Sequence, residues 1–194
     1  MIAAQLPALQ VVLALVAAPV CILLRRGGLA WALALAVSWV GFAIALTLLA
    51  QVYGGEPITY SFGGWAPPWG IEYRIDTLNA FVLVIIGAIS SAVMVFAKRS
   101  VSREIPANRQ HLFYAMLVLL LAGLYGITIT GDAFNVFVFL EIASLASYAL
   151  VAMGKGHRAL TAAFQYLVMG TIGATFFLIG VGLLYAVTGT LNMA

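Results

Sequence analysis

Charged residues are scarce in this sequence. They make up 8% of its 194 positions, against roughly a quarter in an ordinary soluble domain, while 64% of positions are hydrophobic. Mean hydropathy is +1.12. That balance excludes a soluble globular domain and leaves a chain built to sit in lipid. Cysteine is nearly absent: Cys21 stands alone inside an apolar run, so one chain builds neither a disulfide nor a Cys-rich metal or iron–sulfur site. Lysine occurs only at Lys98 and Lys155. No Gly-rich phosphate loop, nucleotide motif or nucleophile constellation is present, so the sequence offers no catalytic apparatus, no cofactor site and no metal site. His111 and His157 stand at the ends of different loops and read as solvated groups near headgroups.

What the chain does have is long apolar runs. A helix needs roughly 20 mostly apolar residues to cross the hydrocarbon core, and six such runs fall near 6–24, 29–51, 75–97, 111–130, 133–153 and 161–187. The expected fold class is therefore an all-α, polytopic membrane bundle of six transmembrane helices. No basic residue precedes the first run and Arg25–Arg26 follow it, so it reads as a retained helix and not a cleaved signal. The "APVC" ending at Cys21 is only a faint lipoprotein box, weakened by Val20 and by the missing basic region.

The net charge of +3 would raise nucleic-acid binding in a soluble protein, but here it divides by loop. Arg25 and Arg26 follow the first span, Lys98, Arg99, Arg103 and Arg109 the third, and Lys155 and Arg158 the fifth; only Arg74 falls in the opposite set. The positive-inside rule then places both termini outside and the basic loops in the cytoplasm, where they meet anionic lipid headgroups. A nucleic-acid partner is not expected; the lipid bilayer is.

The longest break, "QVYGGEPITYSFGGWAPPWGIEYRIDT" (51–77), carries Glu56, Glu72 and Asp76 among Tyr and Trp residues that favour the membrane interface. Its Gly and Pro pairs break helices and permit turns or a short hairpin, so it reads as an ordered external cap lying on the bundle. The sixth span sets Gly170 and Ala174 four apart, with Gly173, Gly180 and Gly182 nearby, which allows close helix packing; Thr171 and Thr175 can bond locally or across helices.

Two acids belong to the fifth span. Asp132 follows Gly131 and opens it, the place for an N-cap. Glu141 is nine residues farther on, about 13 Å deeper at 1.5 Å per residue, after Phe137, Val138, Phe139 and Leu140. An ionised acid at such depth costs roughly 2.5–3.5 kcal/mol on insertion scales, and intramembrane acids are functional by default. Ser144 and Tyr148 lie at i+3 and i+7, so a carboxylate and two hydroxyls share one helical stripe. Carboxylate, hydroxyls and water are the parts of a proton relay; the structural alternative is a protonated acid satisfied by a neighbouring helix. A counter-charge is missing: Lys155 is fourteen residues away, about 21 Å along the axis, Lys98 is also at the cytoplasmic flank, and Arg74 can snorkel inward only partway.

The segments "TGDAFNVFVFLEIASLASYALVAMGK" (130–155) and "ALTAAFQYLVMGTIGATFFLIGVGLLYAVTGTLNMA" (159–194) resemble the antiporter-like subunits shared by Mrp cation/proton antiporters, membrane-bound hydrogenases and respiratory complex I. The "GDxFNxFVFxE" core is fairly specific; within the group the chain looks most like the Mrp D-type subunit or its hydrogenase counterpart, and "TGTLNMA" at the end strengthens the D-type resemblance. "GGWAPPWGIEYRIDTLNAF" (63–81) is similar, more weakly, to the family's region before its third helix. The resemblance implies that Glu141 is the fifth-helix acid of a proton channel. It implies a fourteen-helix subunit in which two inverted five-helix repeats follow the first three helices. Residues 1–110 then hold those three helices with the external cap 51–77, and residues 111–194 the first three helices of the first repeat. The family's lysines on its seventh and eighth helices would lie beyond this stretch, on a continuation of the chain or, if the subunit is naturally split, on another chain.

The function expected on this basis is proton translocation in a multisubunit monovalent cation (sodium)/proton antiporter of a prokaryotic cell membrane. Glu141 is the relay, Ser144 and Tyr148 support a water chain, and another membrane subunit or segment supplies the lysine. Two alternatives stay open: the same channel module in a redox-driven hydrogenase or NADH:quinone oxidoreductase, and an assembly subunit without transport.

Overall fold

The computed structural model describes residues 5–65 and 69–193; the cap's proline pair, Pro67 and Pro68, lies outside the described residues. Six helices run in order: α1 (Leu6–Leu24), α2 (Gly27–Val52), α3 (Thr77–Glu104), α4 (Gln110–Ile129), α5 (Ala133–Ala152) and α6 (His157–Thr188). All six are long and apolar enough to cross a membrane. A helix satisfies every interior backbone group within itself, which is why runs of this hydropathy take that form.

Local chemistry sets the ends. Pro7 opens α1, where its missing N–H costs nothing, and Arg25 closes that helix in the left-handed region at φ 49°. Asp76 caps α3 by accepting the Asn79 N–H at 2.8 Å, and Asp132 caps α5 by accepting the Asn135 N–H at 2.7 Å. Three spans are longer than hydropathy predicts, the second only slightly, running Gly27–Val52 instead of 29–51. The third continues past 97 to Glu104, carrying Lys98, Arg99 and Arg103 on a helical extension. Helical backbone has no reason to stop where polarity rises; it stops at Ile105 because Pro106 cannot continue it. The sixth starts at His157 and not 161, directly after Gly156 at φ 89°.

The bundle has two apolar centres. Toward the basic end, Ala14, Ala17, Ala18, Cys21, Ala30, Ala34, Ala115 and Ala122 bring α1, α2 and α4 close together around Tyr114 and Met94. Toward the other end, Val11, Leu48, Leu83, Leu121, Tyr125 and Phe139 pack beneath the cap. The cap is the expected hairpin: β1 (Ile58–Ser61) pairs antiparallel with β2 (Glu72–Ile75), Tyr60 opposite Tyr73. It is extended by two further pieces of chain. Tyr73 bridges to Thr130 in the α4–α5 link, and Asp132 bridges to Asn192 beyond α6. The Gly131 N–H donates to the Glu72 carbonyl and the Met193 N–H to the Gly131 carbonyl, both at 2.9 Å.

One expectation holds only in part. Small residues in the sixth span do meet a neighbour at Gly170 and Ala174, but α6 is packed on one narrow side: Ala163, Ala174 and Val181 are its only buried residues among those described. Phe164, Met169, Phe176 and Leu183 stand exposed on it. Thr171 and Thr175 bond within their own helix, to Leu167 at 2.9 Å and Thr171 at 2.7 Å.

Candidate functional site

Glu141 lies near the middle of α5, and α5 is held on one side by α4. Two glycines permit that contact. A Cβ on Gly126 would strike the Phe139 ring, and one on Gly123 would come within 2.8 Å of Ala143. A residue step in a helix turns about 100°, so Phe139 and Ala143, two residues to either side of Glu141, both point roughly 160° away from it. The α4 seam is thus opposite the carboxylate. Glu141 is half-buried, and among the described residues its side chain has no hydrogen-bond or ion-pair partner.

The stripe read from the sequence is oriented by α6. Tyr148 is buried; its hydroxyl fills the space over Gly170, and its ring meets Tyr166 edge-on at 4.7 Å. Ser144 and Glu141 lie on the same face, and both are half-buried. With Tyr148 beside Tyr166 and Gly170 in antiparallel register, Glu141 comes level with about Gly173 to Phe177. Nothing lies within 4 Å of a Cβ built on Gly173, so the helix beside the acid is open there. The acid therefore faces α6, level with a stretch of that helix that is open at Gly173.

The cap fixes α5 in height and rotation. An aromatic series runs from Tyr60 to Phe62 (5.2 Å), to Tyr73 (4.6 Å) and to Phe139 (6.4 Å), ending two residues before Glu141. At the helix start, the buried Asn135 side chain donates to Thr130 Oγ1 at 2.9 Å, and Asn192 donates to Glu72 Oε2 at 3.2 Å. Burial pushes the Tyr73 phenol in this cap up to about 12. Asp132 is the N-cap the sequence predicts.

Neither lysine of the chain reaches the site. Lys155 donates to the Arg103 carbonyl at 2.9 Å, and Lys98 lies over the Trp31 ring, 4.3 Å from its centre. Arg74 is exposed on β2. Among the described residues no group of three or more His, Cys, Asp or Glu side chains comes together as a metal site.

The sequence reading passes over a second intramembrane polar cluster. Gln10 is fully buried and donates to the Gly41 carbonyl at 3.2 Å; the Tyr125 hydroxyl packs on the same Gly41. An amide in the otherwise apolar first run is the signal that marks it. His111 also departs from expectation, since its Nδ1 is buried and not solvated.

Residues 130–194 match the family described as NADH:quinone oxidoreductase/Mrp antiporter, TM. The N-type subunit of the NADH-quinone oxidoreductase of Desulforudis audaxviator is 45% identical across 98% of this chain and 38% of the relative. The D-type subunit of the Na(+)/H(+) antiporter of Bacillus subtilis is 36% identical across 82% of this chain and 32% of the relative. Among solved structures, a chain of an archaeal respiratory complex, the membrane-bound sulfane sulfur reductase, superposes with TM-score 0.90 and 36% identity, over 97% of this chain and 39% of that one. A chain of the Mrp complex from a Dietzia species gives TM-score 0.88 and 27% identity over 99% and 36%. The chain thus spans about a third to two fifths of the proteins it matches. Similarity along nearly the whole chain, in a bundle that superposes on these subunits, places the chain in the antiporter-like membrane subunits of Mrp antiporters, NADH:quinone oxidoreductases and related membrane complexes, where it corresponds to the N-terminal part.

Proposed function

We propose that this chain is the N-terminal part of a proton-translocating subunit in a multisubunit monovalent cation/proton antiporter of a prokaryotic cell membrane, with sodium as the exchanged cation. The observation that carries the proposal is Glu141: a half-buried carboxylate in mid-span, without a hydrogen-bond or ion-pair partner among the described residues, on the face of α5 turned away from α4 and toward α6. A protonatable side chain within a membrane span is the part a proton relay requires. In this mechanism the lysine comes from a membrane segment outside these 194 residues, its distance to Glu141 changes during the cycle, and Ser144 and Tyr148 support the connecting water chain. Residues 1–110 form the scaffold with its cap, and 111–194 open the repeat that carries the relay.

A second reading has its own support. The 45% identity to an NADH-quinone oxidoreductase component and the likeness to a sulfane sulfur reductase complex favour the same module driven by redox chemistry on other subunits. Reconstituting the complete complex in vesicles separates the two. Sodium-dependent proton movement without any added electron donor supports the antiporter; proton movement only on adding donor and acceptor, with co-purifying iron–sulfur or nickel subunits, supports the redox-driven complex.

A further inference from the structure

At the basic end of the bundle, the start of α4, the end of α5 and the start of α6 enclose a cleft of about 290 Å³ lined by Arg109, Ala152, Met153, Gly156, His157 and Leu160 among others. Its two kinds of wall have opposite chemistry. Arg109 and His157 present nitrogen donors, and neither side chain has a hydrogen-bond or ion-pair partner among the described residues. Ala152, Met153 and Leu160 form the other wall, which continues along the exposed face of α6 through Phe164, one turn beyond Leu160. Gly154 and Gly156 leave the floor without side chains. The nearest acid in sequence, Glu104, is exposed and pairs with neither Arg109 nor His157.

We infer that this cleft binds the phosphodiester headgroup of an anionic phospholipid, with an acyl chain lying along Leu160 and Phe164. An unneutralised arginine matches a phosphate oxygen pair, and basic pockets between transmembrane helices at this level of the bilayer are suited to such headgroups. The continuous apolar wall is what selects a lipid over a free anion: inorganic phosphate would leave it uncovered. The inference is independent of whether the complex is an antiporter or redox-driven.

The test takes the complete complex in lipid nanodiscs and compares wild type, the double variant Arg109→Gln/His157→Gln and the control Arg99→Gln/Arg103→Gln, which removes charge from the exposed extension of α3 outside the cleft. Thermal unfolding and lipid retained in native mass spectrometry are read with phosphatidylglycerol, with phosphatidylcholine and with inorganic phosphate. Phosphatidylglycerol is expected to raise the unfolding midpoint and to be retained by wild type and control, with most of both effects lost in the cleft variant. Equal loss in the control, an equal effect of phosphatidylcholine, full reproduction by phosphate alone, or no effect in wild type would each overturn the proposal. Should the double variant fail to assemble, Leu160→Ser carries the test: it is expected to cut phosphatidylglycerol retention by about half or more, and unchanged retention contradicts the assigned acyl contact.

Discussion

Gly126 and Gly173 are both helical glycines, yet their surroundings assign them opposite roles. The Cβ of an alanine at 126 would overlap the Phe139 ring, so Gly126→Ala should destabilise the bundle by about 1–3 kcal/mol, the range for overpacking, and displace α5 from α4. Gly173→Ala meets nothing within 4 Å; in this chain it should be neutral or gain up to roughly 1 kcal/mol from helix propensity. Thermal unfolding of the two variants checks the pair, and equal midpoints would contradict the packing described. Asn135 is a subtler case. Removing its side chain takes one donor from the buried Thr130 hydroxyl, and Asn135→Ala should cost about 1 kcal/mol. The Asp132 cap was legible in the sequence because an acid before an apolar run has a local meaning. The bond from Asn135 back to Thr130 was not, since it depends on how the chain turns between two helices.

Among the elements, the hairpin cap couples the outer surface to α5 through its aromatic series. Tyr73 stands at the centre, in contact range of both Phe62 and Phe139. Its phenol ordinarily ionises near 10 and is held up to about 12 by burial, so the folded state favours the neutral form. Stability from this group is complete below pH 10 and is lost as pH rises from about 10 to about 12. The expected result is a fall in unfolding midpoint across that window that Tyr73→Phe reduces; an identical profile in the variant would contradict it. The helices themselves were plain from hydropathy, and the hairpin from Gly, Pro and aromatic residues around 51–77. What hydropathy could not supply was rotation. α5 is apolar on nearly every side, so no amphipathic stripe marks its α4 face; that face is set by two glycines on the neighbouring helix. The pairing of Asn192 with Asp132 was equally hidden, because a strand-like contact of so few residues carries no period.

For the whole molecule, the open flank of α6 and the solitary Glu141 are two aspects of one arrangement: the bundle presents an acid toward α6, a helix that this chain leaves largely exposed. The sequence already pointed to Glu141, since depth and the absence of a reachable lysine follow from counting residues. That the acid faces away from α4 and toward α6 required the helices to be in place. The account stands on a protonatable group at this position. Its most direct test is Glu141→Gln in the complete complex, which keeps the side chain's shape while removing its capacity to carry a proton, with proton translocation measured in vesicles and assembly checked in parallel. Intact assembly is predicted, with translocation reduced at least about a hundredfold, the lower end of what losing a positioned proton-transfer group costs; translocation at the wild-type rate from an assembled variant would contradict this and leave Glu141 as a structural acid.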